Sequence, residues 1–271
     1  MSELIEQVGD LVREAAQTVV LPLFTKLDPS DVHEKAPGDL VTIADQRSEK
    51  LLTEGLLRIL PGSTVVGEES VAEDPGLLRR ICETGPVWLV DPVDGTGNFA
   101  CGKTPFAVMA ALIQDGDLCA GWILDVTRDR MAVAERGSGA WVDGTRVTTR
   151  ADPVPATELR GAVMLKYLPD EMAAEIEMRA GNVAAILPSQ HCAGAEYPDV
   201  VSGVQDFVLF WKTLPWDHAP GVLFTREAGG VARRLDGTEF QVTDPKKGLL
   251  VAANDDIWAD VRSALLGNFK I

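Results

Sequence analysis

Two carboxylates and two glycines follow an apolar run within one short segment, residues 88–99. Asp91 and Asp94 flank a turn fixed by a proline, and such a turn can direct both side chains at one cation. Gly95 and Gly97 allow a close approach of the backbone, so the N–H groups that follow could bind phosphate oxygens beside the cation. Aspartate and glycine are also ordinary residues of β-turns and helix caps. The segment by itself therefore leaves a metal site and a simple turn both open.

Further acidic groups lie at the ends of other predicted strands and helices. Glu68 and Glu69 directly follow a strand-like run, where a solvated strand end is the alternative to a metal ligand. Asp217 lies at or near the N-cap of a predicted helix, and Asp45 closes a capping box that begins at Thr42, so both also have a purely structural explanation. Solvation alone does not explain so many separate acidic clusters. A site rich in carboxylates and poor in His and Cys favours a hard cation with oxygen ligands.

The elements that would carry these groups begin with two helices. Residues 2–20 place apolar side chains at helical spacing between charged ones, which predicts an amphipathic surface helix and not a signal peptide. A second helical pattern stops at a Pro-Gly pair, residues 61–62. Short apolar runs at 64–66 and 87–90 predict strands, and the second run ends at Asp91, as a buried strand does where it enters a loop. Acidic groups therefore gather at strand ends.

The middle of the chain, residues 106–147, predicts an antiparallel sheet. Several strand-like runs alternate there with two hairpin signals, the dipeptides Asp115-Gly116 and Asp143-Gly144. Asp-Gly is a strong signal for the tight turn that joins two antiparallel strands. The pattern therefore predicts an antiparallel meander of the kind that forms one sheet.

A charged, proline-bearing stretch at residues 150–155 is the best candidate for a domain boundary. Strand-like and helical patterns alternate beyond it to the C-terminus. We therefore predict an α/β protein in which helices cover two sheets. The N-terminal half, residues 1–150, would carry most candidate ligands, and the C-terminal half, residues 151–271, would carry Asp217 and the substrate wall.

The composition excludes several classes of protein. The chain has 271 residues, 46% of them hydrophobic, which allows a large core and excludes a disordered or fibrous protein. A net charge of −16 argues against a nucleic-acid surface, although cations inside a site could still attract a small anion. No apolar run reaches the roughly 18 residues of a membrane span, so we expect no membrane partner. Four scattered cysteines and three histidines favour neither a zinc site nor disulfides and fit a reducing cytoplasm.

The acidic groups belong to four longer segments that span nearly the whole chain. These segments are Asp39-Leu40-Val41-Thr42 with Asp45, Gly67-Glu68-Glu69, Asp91-Pro92-Val93-Asp94-Gly95-Thr96 with Asn98-Phe99, and Trp216-Asp217 with Glu227-Ala228-Gly229-Gly230. Together and in this order they closely resemble the signature motifs of the inositol monophosphatase family of lithium-sensitive, Mg²⁺-dependent phosphatases. The resemblance implies the fold of that family, an αβαβα sandwich of the inositol monophosphatase and fructose bisphosphatase type.

The resemblance assigns metal ligands position by position. It implies that Glu68, Asp91 and the carbonyl of Val93 bind one Mg²⁺ ion. It implies that Asp91, Asp94 and Asp217 bind a second ion, and that Glu68 holds a third through water. By analogy with the family, two or three Mg²⁺ ions take part, Mn²⁺ can replace them, and Li⁺ or Ca²⁺ inhibits.

The resemblance also implies a mechanism and a substrate wall. A water molecule on the metals would be activated near Glu68 and a Thr96–Asp45 pair, and it would attack phosphorus in line without a covalent nucleophile. Metal affinity should fall as the pH drops, because protonated carboxylates bind cations poorly. The substrate-binding residues that the resemblance predicts are Asp94, Gly95, Thr96, His191, Cys192, Ala193 and Phe210.

Two positions depart from the pattern of inositol phosphate enzymes. A glutamate that contacts the inositol hydroxyls in the family falls at Phe210, and the leading glycine of a Gly-Ser-Ala-Ala-x-Asp segment is replaced by His191. Loss of that carboxylate would disfavour a polyol, and Phe210 with Trp211 could offer an apolar or stacking surface. Lys166 and Lys212 could attract a second anionic group, although a solvated lysine is the commoner role.

The sequence therefore leaves several substrates open. An inositol-1-phosphate-like ester is the first expectation from the resemblance, and histidinol phosphate, fructose 1,6-bisphosphate and 3′-phosphoadenosine 5′-phosphate are alternatives. Related proteins also bind the transcription machinery, so an interaction module is the alternative from another class. A Ca²⁺ site that serves only to stabilise the fold is a less favoured hypothesis, since the sequence has no EF-hand-like loop. Family members usually form homodimers, and a homodimer is expected here by analogy.

Overall fold

The computed structural model of the protein describes residues 2–269. Short apolar runs form its central strands, and apolar residues at period 3.6 form its amphipathic helices. The β-strands are β1 (Val32–Ala36), β2 (Asp39–Thr42), β3 (Thr64–Gly67), β4 (Pro86–Asp94), β5 (Ala107–Gln114), β6 (Asp117–Asp125), β7 (Arg130–Glu135), β8 (Gly139–Val142), β9 (Thr145–Val147), β10 (Arg160–Val163), β11 (Ala185–Leu187), β12 (Phe207–Phe210), β13 (Val231–Arg234) and β14 (Leu249–Ala252). The α-helices are α1 (Glu3–Ala15), α2 (Leu21–Leu23), α3 (Ile43–Ile59), α4 (Glu68–Glu73), α5 (Thr96–Ala100), α6 (Asp170–Arg179), α7 (Ala193–Val201), α8 (Pro215–Glu227) and α9 (Asp255–Leu266).

The larger sheet has seven strands in the order β3-β4-β5-β6-β7-β8-β9. β3 and β4 are parallel, and each later pair is antiparallel. The dipeptides Asp115-Gly116 and Asp143-Gly144 join β5 to β6 and β8 to β9, with φ positive at all four residues, as a two-residue hairpin turn requires. The predicted meander is therefore confirmed.

The smaller sheet belongs to the C-terminal part of the chain. It has five strands in the order β11-β10-β12-β14-β13. β10 and β12 are parallel neighbours, with Val163 opposite Leu209, so the carboxyl ends of both strands lie side by side. A separate two-stranded hairpin, β1–β2, precedes α3.

Three apolar cores separate the layers of the fold. Trp88 and Val90 of β4 pack in a core with α1 and α3, whereas Val87 and Leu89 on the opposite face pack with α7 and α8. The same two helices cover one face of the smaller sheet, and α6 and α9 cover its other face. The layer order is therefore helix, sheet, helix, sheet, helix. The expected αβαβα sandwich is confirmed.

The N-terminal helix is amphipathic as predicted. Ile5, Val8, Leu11 and Val12 of α1 are buried against the larger sheet, and the helix continues as a π-turn at Ala16–Val20. No helix in residues 2–269 is both long and apolar enough to cross a membrane. Since α7 and α8 pack on both sheets, the two predicted halves share a core, and their status as separate domains stays a prediction.

Candidate active site

The buried strand β4 ends in the segment that carries Asp91 and Asp94. The register of β4 on β5 shifts between these two residues, and such a bulge redirects side chains at the end of a strand. The backbone N–H of Val93 donates to Asp91 Oδ1 over 3.1 Å, which orients the first carboxylate. Gly95 then has φ +85°, and a Cβ there would lie 3.2 Å from the carbonyl oxygen of Pro105. The turn therefore requires glycine at this position.

Three carboxylates from distant segments meet in one place. One oxygen from each of Glu68, Asp91 and Asp217 lies within 4.8 Å of the other two. The parallel pairing of β3 and β4 brings Glu68, the first residue of α4, beside Asp91. Asp217 joins them from the first turn of α8, where it is the third helical residue and not the N-cap, which is Leu214. The three oxygens form a set that fits a hard divalent cation.

The electrostatics of this cluster also suit a cation. Burial raises the pKa of Asp91 well above its usual range, and repulsion from Glu68 and Asp94 adds to the effect. Burial likewise raises the pKa of Asp217, again with a contribution from Glu68. Carboxylates this close oppose each other's ionisation when no positive charge lies between them. A divalent cation would remove that cost, so the residues present fit a metal site.

Asp94 occupies the same cavity but its second oxygen has protein partners. Asp94 Oδ2 accepts hydrogen bonds from the backbone N–H of Gly194 at 2.6 Å and from the thiol of Cys192 at 3.1 Å. Burial raises the pKa of Asp94 to about 6, while these hydrogen bonds act in the opposite direction. The predicted role of Asp94 as a ligand of the second ion stays a prediction.

The predicted Thr96–Asp45 pair is in hydrogen-bonding range. Thr96 Oγ1 lies 3.2 Å from Asp45 Oδ1 and 2.9 Å from the carbonyl oxygen of Val93. The other oxygen of Asp45 closes the capping box of α3, since the backbone N–H of Thr42 donates to it over 2.8 Å. Burial raises the pKa of Asp45 to about 7. The structure therefore combines the capping role with a contact to Thr96, the two explanations that the sequence left open for Asp45.

Lys35 is part of the site, and sequence reasoning missed it. Its Nζ lies 2.7 Å from Glu68 Oε1 and 2.9 Å from Glu69 Oε1. Burial lowers the pKa of Lys35, but charge attraction and hydrogen bonds to Glu68 and Glu69 together outweigh burial, so the net pKa lies above the usual value. Burial raises the pKa of Glu69 to about 8. Lys35 lies in β1, four residues before the Asp39 motif, and only that proximity could have indicated it.

Sequence reasoning also missed Glu49, which holds the backbone that directly follows Glu68. The carboxylate of Glu49 accepts the backbone N–H groups of Glu69 at 2.7 Å and Ser70 at 2.9 Å. These are orphan donors of the first turn of α4, which begins at Glu68. Glu49 follows Asp45 by four residues on α3, so the i, i+4 spacing places both acids on one helix face and was the available signal.

The cluster lies in a cavity of about 520 Å³. The residues expected to form the substrate wall all line this cavity, together with Lys166, Tyr167 and Lys212. His191 is exposed and has φ +54°, a conformation that is uncommon for a residue other than glycine. The assignments of Gly95, Thr96, His191, Cys192, Ala193 and Phe210 to substrate binding stay predictions.

Phe210 offers less surface than its sequence position indicated. It is only 2% exposed, since β12 has a helix layer on each face. Its ring stacks on Tyr197 with a centroid distance of 5.3 Å and meets His218 edge to face at 4.7 Å. Burial lowers the pKa of His218 to about 3. Neutral His218 donates from Nε2 to the carbonyl of Lys212 and accepts at Nδ1 from the Tyr197 hydroxyl, so it supports the wall structurally.

Comparison with known proteins identifies the family. The sequence model described as the inositol monophosphatase family matches residues 1–266 of this chain. The chain belongs to the inositol monophosphatase family. Members of the inositol monophosphatase family are metal-dependent phosphoric monoester hydrolases, so this family member is an enzyme of phosphate monoester hydrolysis.

Individual relatives agree with the family assignment. The inositol-1-monophosphatase of Mesorhizobium japonicum is 31% identical over 240 residues, which cover 86% of this chain and 85% of the relative. The fructose-1,6-bisphosphatase/inositol-1-monophosphatase of Aquifex aeolicus is 29% identical over 244 residues and 88% of each protein. The crystal structure of extragenic suppressor protein suhB from Bartonella henselae superposes with a TM-score of 0.83 at 28% identity, covering 99% of this chain and 100% of that one. The family fold therefore extends over nearly the whole chain.

Proposed function

We propose that this protein hydrolyses a small phosphate monoester with Mg²⁺ held by Glu68, Asp91, Asp94, Asp217 and the carbonyl of Val93. The observation that carries the proposal is the meeting of three carboxylate oxygens within 4.8 Å of one another in a cavity that is open to small molecules. Oxygen ligands of this kind suit Mg²⁺, and Mn²⁺ can take the same ligands. When bound, two or three such ions would neutralise the charge on the phosphoryl group and lower the pKa of water.

The chain's own side chains would position the reaction. Thr96 Oγ1, held between Asp45 and Val93, is placed to hydrogen-bond the attacking water. Asp45 is a buried carboxylate and Glu68 a partly buried one, and both can take up the proton that this water releases. Backbone N–H groups that follow Gly95 would bind phosphate oxygens. Water would form the new bond to phosphorus while the alcohol leaves, without a covalent protein intermediate.

The names of the relatives and the residues that line the cavity suggest the substrate candidates. Relatives are named for inositol 1-phosphate and fructose 1,6-bisphosphate hydrolysis, and both are candidates here. Histidinol phosphate and 3′-phosphoadenosine 5′-phosphate are the further alternatives. Phe210 stands where inositol enzymes carry a polyol-binding glutamate, which argues against inositol 1-phosphate as the preferred ester.

A phosphate-release panel tests the proposal. The purified protein is assayed with Mg²⁺ on these four phosphate compounds and with p-nitrophenyl phosphate as a small general ester. We expect release that stops in excess chelator, returns with Mg²⁺ or Mn²⁺, and is inhibited by Li⁺ or Ca²⁺. Asp91→Asn should abolish release, whereas Asp125→Asn, a buried aspartate outside the cavity, should keep it. Full turnover in excess chelator would contradict the proposal.

We also propose that the protein acts as a cytoplasmic homodimer. Members of the family usually form homodimers. Light scattering of the purified protein measures its molar mass and so tests the dimer. Four cysteines, all free, support a reducing compartment. An interaction role would be favoured instead if Asp94→Asn abolished phosphate release and left the cellular role intact.

A further inference from the structure

Two lysines approach each other at the cavity because of the pairing of two strands. β10 and β12 are parallel neighbours, and the backbone N–H of Met164 extends the pairing with a hydrogen bond to the carbonyl of Leu209 at 2.9 Å. Lys166 follows β10 and Lys212 follows β12. Since the carboxyl ends of parallel neighbours lie side by side, both side chains reach the same wall of the cavity, which they line.

Both ammonium groups lie close to one tyrosine ring. Lys166 Nζ lies 5.0 Å and Lys212 Nζ lies 5.5 Å from the centroid of the Tyr167 ring, so both are at cation–π distance. The two nitrogens are therefore at most 10.5 Å apart, the sum of these distances. Tyr167 is 39% exposed, so the ring and both cations face a space that a ligand can enter.

Few carboxylates lie close enough to balance the positive charges of the two lysines. Lys166 donates to the carbonyl oxygen of Gly38 at 3.0 Å, and among residues 2–269 no carboxylate lies within 4.0 Å of its Nζ. Lys212 has one such neighbour, Asp39, at a long 3.5 Å, with both side chains about one-third exposed. An exposed pair of this length contributes little. The wall thus carries more positive than negative charge in a protein whose net charge is −16.

Lys212 is close enough to the carboxylate cluster to act on it, and Lys166 lines the same cavity. Burial raises the pKa of Glu68 and of Asp217, and the positive charge of Lys212 acts against that rise at both residues. The cavity of about 520 Å³ is within the usual size range of small-molecule sites. One small substrate can therefore place a phosphate at the cluster and a second charged group at the lysines.

We propose that Lys166, Tyr167 and Lys212 form a subsite for a second phosphate group, so that the preferred substrate is a small bisphosphate hydrolysed at one of its two esters. The proposal rests on the proposed phosphatase function. Each lysine supplies up to three donors on a flexible stem, and lysine is a common ligand of phosphate. Phe210 lines the same cavity but offers little surface for this role, because it is only 2% exposed.

A structural role for the lysines is the rival explanation. Lys166 and Lys212 contact Gly38 and Asp39 at the tip of the β1–β2 hairpin, whose strand β1 carries Lys35. If the lysines only hold this hairpin, their loss would affect every substrate alike. If they bind a second phosphate, their loss would affect bisphosphates selectively. The ratio between two matched substrates separates these roles.

Fructose 1-phosphate and fructose 1,6-bisphosphate form a matched pair, since they share the 1-phosphate and differ only in the 6-phosphate. We expect kcat/KM of the wild-type protein to be at least about tenfold higher for the bisphosphate, mainly through a lower KM. A hydrogen bond to a charged group contributes roughly 1.5–3 kcal/mol, which corresponds to a factor of ten or more in affinity. The ratio should fall with added salt, because Lys166 is exposed and Lys212 is partly exposed. Lys166→Met and Lys212→Met should each lower the ratio, and the double variant should bring it near one.

The control variants address folding and general charge. Lys166→Arg and Lys212→Arg should keep most of the preference, and Lys50→Met, which removes an exposed lysine on α3, should leave the ratio unchanged. A wild-type ratio near one overturns the subsite, and so does an equal loss on both substrates in the lysine variants. Absence of phosphate release from every compound of the panel overturns the proposed function itself, which is a different result.

Discussion

The backbone N–H of Gly194 donates a hydrogen bond of 2.6 Å to Asp94 Oδ2 across 100 residues of sequence. Gly194 belongs to the first turn of α7 and Asp94 to the end of β4, so a helix of the C-terminal part orients a carboxylate of the N-terminal part. A Cβ at position 194 would lie 2.5 Å from Ala107 Cβ, so the close approach depends on glycine. The predicted ligand set is therefore assembled from both parts of the chain.

Asp94→Asn should reduce phosphate release by more than the roughly 10–100-fold that a supporting residue costs. The amide removes a negative charge from the cluster and keeps the shape of the side chain. Steady-state assays at saturating Mg²⁺ measure this. Asp125→Asn is the matched control, because Asp125 is equally buried at 9% but lies outside the cavity. An Asp94→Asn variant with wild-type kcat would remove Asp94 from the proposed ligands.

Thr96→Val should lower kcat by about 10–100-fold with little change in thermal stability. Valine keeps the shape of threonine but cannot hydrogen-bond to Asp45, to the Val93 carbonyl or to a water molecule. The measurement is kcat together with Tm. Thr149→Val removes a hydroxyl remote from the cavity and should leave kcat unchanged. Equal kcat losses in both variants would contradict a special role of Thr96.

Lys35→Met should tighten Mg²⁺ binding by about tenfold, since a unit positive charge so close to Glu68 opposes an incoming cation. The same variant should be less stable than the wild type in chelator, because Glu68 and Glu69 lose their buried counter-charge. Calorimetric titration and thermal unfolding measure the two effects. Lys26→Met, at an exposed site, should change neither. Weaker Mg²⁺ binding by Lys35→Met would show that the lysine assists the ion.

The stability of the cation-free protein should fall as the pH rises from about 4 to about 8. Burial raises the pKa of Asp45 to about 7 and of Glu69 to about 8, whereas both groups titrate near 4 in an unfolded chain. In this window the folded chain binds more protons than the unfolded chain, so the free energy of unfolding decreases with pH. Urea unfolding in chelator measures the slope. Asp45→Asn should make it shallower, and an unchanged slope would argue against Asp45 as a contributor.

Mg²⁺ should raise Tm more at about pH 8 than at about pH 5. Cation binding requires ionised carboxylates, and the raised pKa values of Asp91 and Asp217 mean that protons compete for the same oxygens at low pH. Scanning calorimetry with and without Mg²⁺ measures the shift. Asp91→Asn should reduce the shift at both pH values. A larger shift at acid pH would contradict this competition.

Much of the fold was predictable from local patterns. The strand-like runs became the strands of the meander, and the Asp-Gly dipeptides became its turns, because only a few residue types tolerate positive φ at both turn positions. Thr42 and Asp45 formed the predicted capping box, which depends only on residues three apart. Such features are determined within a few residues, so the sequence contains them directly.

The environment of single side chains was less predictable. The sequence suggested that Phe210 is available for stacking on a substrate. However, β12 is an inner strand covered on both faces, and the ring of Phe210 already stacks on Tyr197. The roles of Lys35 and Glu49 were not predicted, because lysine and glutamate side chains are usually solvated. Their roles arise from packing against α4, which no local pattern records.

The sequence by itself determined the residue types, their family order and the strand ends at which Glu68 and Asp91 lie. Only the tertiary structure decided that Asp217 meets them within 4.8 Å, and that Lys166 and Lys212 share a wall. The physical reason is the range of the interactions involved. Caps, turns and amphipathic periods act between near neighbours, whereas a cavity is created by sheet register and helix packing that join residues more than a hundred positions apart.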